Sequence, residues 1–168
     1  MTKNFTFYLT LIVIQFVACN VNTEKNELKY FPVDDLNGVI AASSIQLDKA
    51  NSNDGKGSIK IAAASPVVIP LYIVNNIQAD DTQIIYEAQV KSESLIGQAL
   101  LEMWCVFKDK GDFFSRGFDS VISGTSDWKT IRTVFNLQKG EMPDQIKLNI
   151  MVNGVGTVWI DDIHLSKL

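Results

Sequence analysis

The stretch Ala99-Leu-Leu-Glu-Met-Trp-Cys-Val-Phe107 alternates between two kinds of side chain. Its odd-numbered positions are all apolar, whereas its even-numbered positions include Glu102 and Trp104. A period of two is that of a β-strand, because successive side chains point to opposite faces of a sheet. One apolar face and one mixed face are typical of a half-buried antiparallel strand. The stretch therefore predicts a strand with Glu102 and Trp104 on the face away from the core.

The same alternation recurs along the rest of the chain. Residues 84–91, 130–137 and 145–152 repeat it, and shorter strands are predicted at 44–48, 57–63, 67–74 and 156–166. Turn-forming residues separate these runs, and Asn153-Gly154 between two of them is a hairpin signal. No run of ten or more residues has convincing helical spacing. The pattern predicts an all-β sandwich.

Length and composition set the broad class of protein. The chain has 168 residues, of which 46% are hydrophobic, and its formal net charge is −4. This length suits one domain and is too short for two ordinary ones. The 19 acidic residues outnumber the 15 basic ones. That balance opposes nucleic-acid binding, which needs a basic surface, so we expect no nucleic-acid partner.

The N-terminus has the features of an export signal. Lys3 supplies a positive charge, residues 5–18 are mostly apolar, and small Ala18 precedes Cys19. Phe16-Val-Ala-Cys19 resembles the bacterial lipobox, with Phe16 in place of the usual Leu. The resemblance implies a helical signal peptide at residues 1–18 and a lipid anchor on Cys19. Asn20 after the cysteine implies localisation in the cell envelope, at the outer membrane; the alternative is a plain secretory signal.

The mature chain then divides into two parts. Residues 19–29 are polar and are predicted to form a flexible tether, while residues 30–168 form the sandwich domain. If Cys19 carries lipid, Cys105 is the only remaining thiol and is most simply a small buried hydrophobic residue. A membrane is therefore an expected partner, through the anchor alone.

Three segments together resemble a known family. They are Asp54-Gly-Lys-Gly-Ser-Ile-Lys-Ile61, Ser126-Asp-Trp-Lys-Thr-Ile-Arg-Thr-Val-Phe135 and Gly156-Thr-Val-Trp-Ile-Asp-Asp-Ile-His-Leu165. In this order they are similar to the early strand, the tryptophan strand and the closing strand of carbohydrate-binding modules of the family 4/9/22 type. The resemblance implies a galactose-binding-like jelly roll with two antiparallel sheets. It does not by itself imply sugar binding, because this fold hosts many functions.

Asp161 and Asp162 stand in an otherwise apolar closing strand. An inward carboxylate is costly unless it is paired or bound to a metal. Modules of the resembled family often hold a structural Ca²⁺ here, so the resemblance implies a calcium cofactor on these residues. The alternative is a carboxylate that accepts backbone N–H bonds without a metal.

A candidate ligand site combines Glu102, Trp104, Phe113 and Arg116. Sugars present apolar C–H faces and many hydroxyls, so a site pairs an aromatic platform with carboxylates or Arg. Residues 112–117, which follow the strand directly, bring two aromatics and a guanidinium close to Trp104. The alternative is that Trp104 packs under a loop and Arg116 pairs with Glu102 as a structural clamp.

The expected function is that of a non-catalytic glycan-binding lipoprotein, with a polysaccharide or oligosaccharide as partner. The alternative is a protein-interaction or structural module of the envelope that never meets a sugar. A sandwich-fold hydrolase is a third possibility, because Glu102 and Glu87 could in some register form the carboxylate pair of a glycosidase. No motif of a serine hydrolase, zinc protease, P-loop or dinucleotide-binding enzyme occurs in the chain.

Overall fold

The computed structural model describes residues 24–168, and their regular structure is almost entirely β-strand. One turn of 3₁₀ helix, Ala42–Ser44, interrupts the strands. Among residues 24–168, no helix is long and apolar enough to cross a membrane. The prediction of an all-β domain is confirmed. The strands are β1 (Asn26–Phe31), β2 (Gln46–Asp48), β3 (Ser58–Ala63), β4 (Val67–Asn75), β5 (Gln83–Phe107), β6 (Gly111–Arg116), β7 (Ile122–Asn136) and β8 (Gln145–Lys167).

Two long antiparallel strands, β5 and β8, run side by side through both layers of the domain. The first layer contains the N-terminal half of β5 and the C-terminal half of β8, flanked by β7 on one side and by β1, β3 and β2 on the other. The second layer contains the other halves of both strands, flanked by β4 and β6. Apolar side chains from the two layers form one core cluster, so the layers pack as a sandwich.

The inward-facing positions of β5 change parity along the strand. Tyr86 and Val90 face the core in the first half, whereas Leu101 and Met103 face it in the second half. The ladder to β8 is irregular between Glu93 and Ile96. An extra residue at such a bulge moves every later side chain to the opposite face. The two strands predicted around residues 84–91 and 99–107 are therefore one bent strand with a bulge.

The hairpin predicted at Asn153-Gly154 is wrong, because both residues lie within β8 and pair with Gln98 and Gly97. A Cβ added at Gly154 would lie 2.0 Å from the carbonyl oxygen of Ile96. Gly154 and its partner Gly97 therefore allow the backbones of β5 and β8 to approach closely where the ladder bends.

The boundary predicted between tether and domain also differs from the structure. Residues 26–29, assigned to the tether, belong to β1, which pairs with the last residues of β8. The Lys25–Glu87 ion pair and a 2.7 Å contact between His164 Nδ1 and Glu27 fasten this segment. Its polar composition hid the strand, because an edge strand exposes much of its surface. The predicted signal peptide and lipidated Cys19 lie outside the described residues and stay predictions.

Candidate functional site

The outer face of the second layer carries a row of polar residues next to a row that contains two aromatic residues. Register across β8, β5 and β6 aligns Asn149, Glu102 and Arg116. The adjacent row aligns Lys147, Trp104 and Phe114. Because alternate side chains of a strand share one face, the two rows lie side by side on the surface opposite the core. We call this surface the Trp104 face.

Glu102 is the centre of the polar row. Its side chain is 2% exposed and accepts three hydrogen bonds. The Trp104 indole N–H donates to Oε1 at 2.8 Å, and Asn149 Nδ2 donates to the same oxygen at 2.9 Å. Arg116 Nε donates to Oε2 at 2.7 Å. Three donors from three strands therefore fix the carboxylate in place.

The electrostatics of Glu102 follow from these bonds. Burial alone would raise its pKa, because it disfavours the charged form. The hydrogen bonds from Asn149, Trp104 and Arg116 outweigh burial, so the pKa of this carboxyl lies below its usual value. Glu102 is thus a permanent anion at neutral pH, which does not suit a general acid that needs a raised pKa.

The aromatic row is partly open to solvent. Trp104 is half-buried, and its ring centroid lies 5.0 Å from that of Phe114, with the two planes tilted by 44°. The Arg116 guanidinium carbon lies 4.6 Å from the Phe114 ring centroid, within cation–π distance. Phe114 and Arg116 thereby support each other at the open edge of the face.

Three of the four predicted ligand residues come together, and one does not. Glu102, Trp104 and Arg116 meet as described, but Phe113 pairs with Cys105 and so lies on the opposite face of β6. Its ring packs against Phe107 in an edge-to-face contact, with centroids 5.9 Å apart. Phe114 stands where Phe113 was expected. The sequence could not decide between the two, because the tight turn before β6 sets which of them shares a face with Trp104.

Asn149 was missed by the sequence analysis. It stands in an alternating run and resembles an ordinary outward polar residue, yet it is buried against Glu102. The available signal was its register opposite Glu102, which depends on pairing β5 with β8. The structural alternative joined two features, and one of them is present: Arg116 pairs with Glu102, whereas Trp104 remains partly accessible. Ligand binding at these residues stays a prediction.

Asp161 and Asp162 form a bulge in β8. Asp162 has a left-handed backbone with φ of 46°, and Ile160 and Ile163 on either side both face the core. Fully buried Asp161 accepts the N–H of Asn53 at 2.8 Å and that of Asp162 at 2.8 Å. Asp162 accepts the Tyr30 hydroxyl at 2.6 Å. Burial is the main cause that raises the pKa of Asp161 to about 6.

Asp161 and Asp162 supply only part of the oxygen ligands that a calcium ion needs. Within residues 24–168, no group of three or more His, Cys, Asp or Glu side chains is arranged to hold a metal ion. Two aspartates alone are fewer than the six to eight oxygens that Ca²⁺ takes, so the remaining ligands would have to be backbone carbonyls and water. Asp161 accepts two backbone N–H bonds, as the metal-free alternative expected. Calcium binding stays a prediction.

The carboxylate pair expected of a hydrolase is not assembled. Glu87 lies in the first-layer half of β5 and faces His164 and Arg132 across the ladder. Glu102 lies in the second-layer half of the same strand. Cys105 is fully buried, and burial raises the pKa of its thiol to about 12, as suits a hydrophobic core residue rather than a nucleophile.

Solved structures with this architecture include carbohydrate-binding modules. The C-terminal family 22 module of a Clostridium thermocellum xylanase gives a TM-score of 0.56 at 8% identity, covering 83% of this chain and 93% of that one. A family 22 module joined to the catalytic module of the same enzyme, complexed with xylohexaose, gives 0.58 at 12% identity and covers 86% of this chain. This chain spans only 28% of that two-module structure. A family 16 module gives 0.52 at 13% identity, covering 73% of this chain and 84% of that one.

No protein-family model and no curated protein sequence matches the chain. At these identities the structural likeness is evidence of the fold. The domain is a jelly-roll β-sandwich like that of carbohydrate-binding modules, as the three sequence segments predicted.

Proposed function

We propose that this domain is a non-catalytic carbohydrate-binding module whose Trp104 face binds a glycan. The observation that carries the proposal is a partly exposed indole beside a fixed carboxylate and a guanidinium on one sheet face. A pyranose stacks its apolar C–H face on an aromatic ring and offers its hydroxyls to charged and amide groups. Trp104 and Phe114 supply the platform. Arg116 and Asn149, which Glu102 holds in place, orient the sugar hydroxyls.

The charges of the Trp104 face favour a neutral ligand. Arg116 is balanced by Glu102, and Lys147 Nζ lies 3.3 Å from Asp112 Oδ2. Neither pair leaves a spare charge to attract an ionic sugar. The lowered pKa of Glu102, and the distance of Glu87 in the other layer, support binding rather than hydrolysis.

Adjacent phenylalanines on β6 provide a matched test. Phe113 and Phe114 are 48% and 50% exposed but lie on opposite faces of the strand. A glycan array with the purified protein would identify a ligand, and calorimetry would then compare Phe114→Ala with Phe113→Ala. We expect Phe114→Ala to weaken binding about tenfold and Phe113→Ala to leave it unchanged. Equal loss in both variants, or no bound glycan, would contradict the proposal.

A protein-interaction module is the second candidate, and one observation favours it. Val68, Pro70 and Ile73 on β4 are exposed, and register places them beside Met151, Asn149 and Lys147 at the edge of the Trp104 face. An apolar strip of this kind also suits a protein partner. A partner captured by cross-linking at these positions, together with an empty glycan array, would favour this candidate.

We further propose that the module is displayed on the cell envelope through lipid on Cys19. The lipobox-like Phe16-Val-Ala-Cys19 supports this, and two or more acyl chains anchor a protein firmly. Metabolic labelling with a fatty-acid probe tests it. We expect the wild-type chain to label and to remain with the outer membrane, and Cys19→Ala to do neither; labelling of the Cys19→Ala variant would refute the assignment.

A further inference from the structure

A groove of about 470 Å³ lies on the outer face of the first layer. Its floor is Trp159, whose neighbours Val158 and Ile160 on β8 face the core. The two outer faces of a sandwich point in opposite directions. The groove is therefore separate from the Trp104 face and is not used by the function proposed above.

Two lysines flank the floor of the groove. Lys60 on β3 and Lys91 on β5 both pair with Trp159, so the three side chains form one cross-strand row. Lys60 Nζ lies 5.4 Å from the Trp159 ring centroid, in a cation–π contact. No carboxylate among residues 24–168 lies within ion-pair distance of Lys60. Lys91 Nζ is 3.8 Å from Asp127, whose side chain is 87% exposed, so this pair is weak and open to exchange.

The Trp159 side chain is held in place by a residue of the same sheet. Trp159 is 3% exposed, and its indole N–H donates to Asp48 Oδ2 at 2.8 Å. Asp48 in turn accepts backbone N–H groups of Ala50 and Asn51. The bond from Trp159 is the largest cause that lowers the pKa of Asp48 to about 2, so this anchor stays charged at all ordinary pH values. A fixed floor places the Lys60 ammonium before a ligand arrives, which lowers the entropic cost of binding.

The remaining lining is polar and includes two carboxylates. Glu93, Asp127 and Ser126 border the groove on the side of Lys91, and Asn51 borders it near Lys60. Glu93 and Asp127 stand in the same lining as the lysines, so the groove lacks the uniformly positive charge that a nucleic acid needs. Its mixture of cations, acceptors and hydroxyl or amide groups matches a ligand that has an anionic group and several hydroxyls.

We propose that this groove binds an anionic saccharide, with the ligand's carboxylate or sulfate between Lys60 and Lys91 and its hydroxyls toward Asp127, Glu93 and Ser126. The anion makes charge-assisted bonds with two ammonium groups that lack a strong internal partner. The carboxylates of Asp127 and Glu93, on the side of Lys91, accept hydrogen bonds from the sugar hydroxyls.

Trigalacturonate is the probe that tests the site, and its fully methyl-esterified form is the neutral control. Binding to the full chain is measured by calorimetry and by the NMR signal of the Trp159 indole N–H. We expect Lys60→Met and Lys91→Met each to weaken trigalacturonate binding about tenfold, because each removes one charge-assisted contact. Raising the salt should also weaken binding. Lys108→Met, whose side chain is 83% exposed at the edge of the other layer, should change nothing.

Further probes in the same binding experiment distinguish the possible classes of ligand. A heparin-derived hexasaccharide that binds more tightly than trigalacturonate, with the same lysine dependence, supports the site and identifies sulfate as the preferred anion. Binding of neither anionic saccharide, equal binding of the methyl ester, or affinity unchanged in the Lys60→Met/Lys91→Met double variant would overturn the proposal. Equal binding of triglutamate would also overturn it, in favour of an acidic peptide. The Trp104 indole N–H signal should stay in place during the trigalacturonate titration, so that failure of this site and failure of the Trp104 face are distinguishable.

Discussion

The indole N–H of Trp104 donates to the carboxylate of Glu102, two residues earlier on the same strand, at 2.8 Å. Residues two apart on a strand share a face, so this bond fixes the Trp104 ring along the sheet surface. The same carboxylate holds Arg116 and Asn149 from the neighbouring strands. One buried anion therefore sets the positions of three groups on the proposed glycan-binding face.

We expect Glu102→Gln to destabilise the fold and to weaken glycan binding. The amide keeps one acceptor oxygen but turns an NH₂ group toward donors, which leaves buried hydrogen bonds unsatisfied at a cost of about 1–3 kcal/mol. Urea unfolding measures the loss. Glu93→Gln, at an exposed position of the same strand, is the control and should cost less than about 0.5 kcal/mol. Equal stability of both variants would show that the Glu102 network contributes nothing to stability.

Arg116→Lys should lower the affinity for glycan without unfolding the domain. An ammonium can keep the charge pair with Glu102, but it lacks the planar fork and stacks poorly on Phe114. We predict an affinity loss of about tenfold, with a thermal midpoint close to that of the wild type. If the variant binds glycan like the wild type, Arg116 acts only as a structural clamp.

Asp161 predicts a specific pH dependence of stability. Its pKa is raised from 3.8 to about 6 in the folded state, so the folded protein binds this proton more tightly than the unfolded chain does. The contribution of Asp161 to stability is therefore fully present below about pH 4 and declines as the pH rises through about 6, by roughly 3 kcal/mol. Unfolding curves between pH 4 and 7 for wild type and Asp161→Asn isolate it. A difference between the two that does not vary with pH would contradict the shifted pKa.

Calcium should oppose this decline if it binds at Asp161 and Asp162, because a cation favours the charged carboxylate. We predict that millimolar CaCl₂ at pH 7 raises the thermal midpoint of the wild type and that a chelator reverses the rise. The Asp161→Asn variant and MgCl₂ serve as controls, and neither should reproduce it. A midpoint indifferent to calcium would leave the backbone N–H groups of Asn53 and Asp162 as the partners of Asp161.

Gly154→Ala should be among the most destabilising single-methyl additions in the domain. The new Cβ would lie 2.0 Å from the Ile96 carbonyl oxygen, where neither backbone can yield without breaking the bend. Gly111→Ala is the comparison, because Gly111 has φ of 91° but nothing within 4 Å of an added Cβ. We expect about 1–2 kcal/mol for Gly111→Ala from backbone strain alone and more than about 3 kcal/mol for Gly154→Ala. Similar losses would mean that the close approach is relieved at little cost.

The strand content could be predicted from the sequence because period-two alternation marks each half of β5 and β8. The continuity of β5 could not, because the bulge between Glu93 and Ile96 reverses the parity and makes one strand resemble two. Glu102 and Trp104 were placed correctly, since both lie in the clearest alternating run. The choice between Phe113 and Phe114 depended on pairing register, which is a property of two strands and cannot be read from either one alone.

The indole N–H signals of the three tryptophans give the most direct test of the central claim, that the Trp104 face binds glycan. A ¹H–¹⁵N spectrum of the protein is recorded during titration with a glycan selected from the array, and the signals are assigned with single Trp→Phe variants. A neutral glycan should shift the Trp104 signal, whose N–H contacts Glu102, while the Trp128 and Trp159 signals stay in place. A glycan that binds with measurable affinity and leaves the Trp104 signal unmoved would contradict the account.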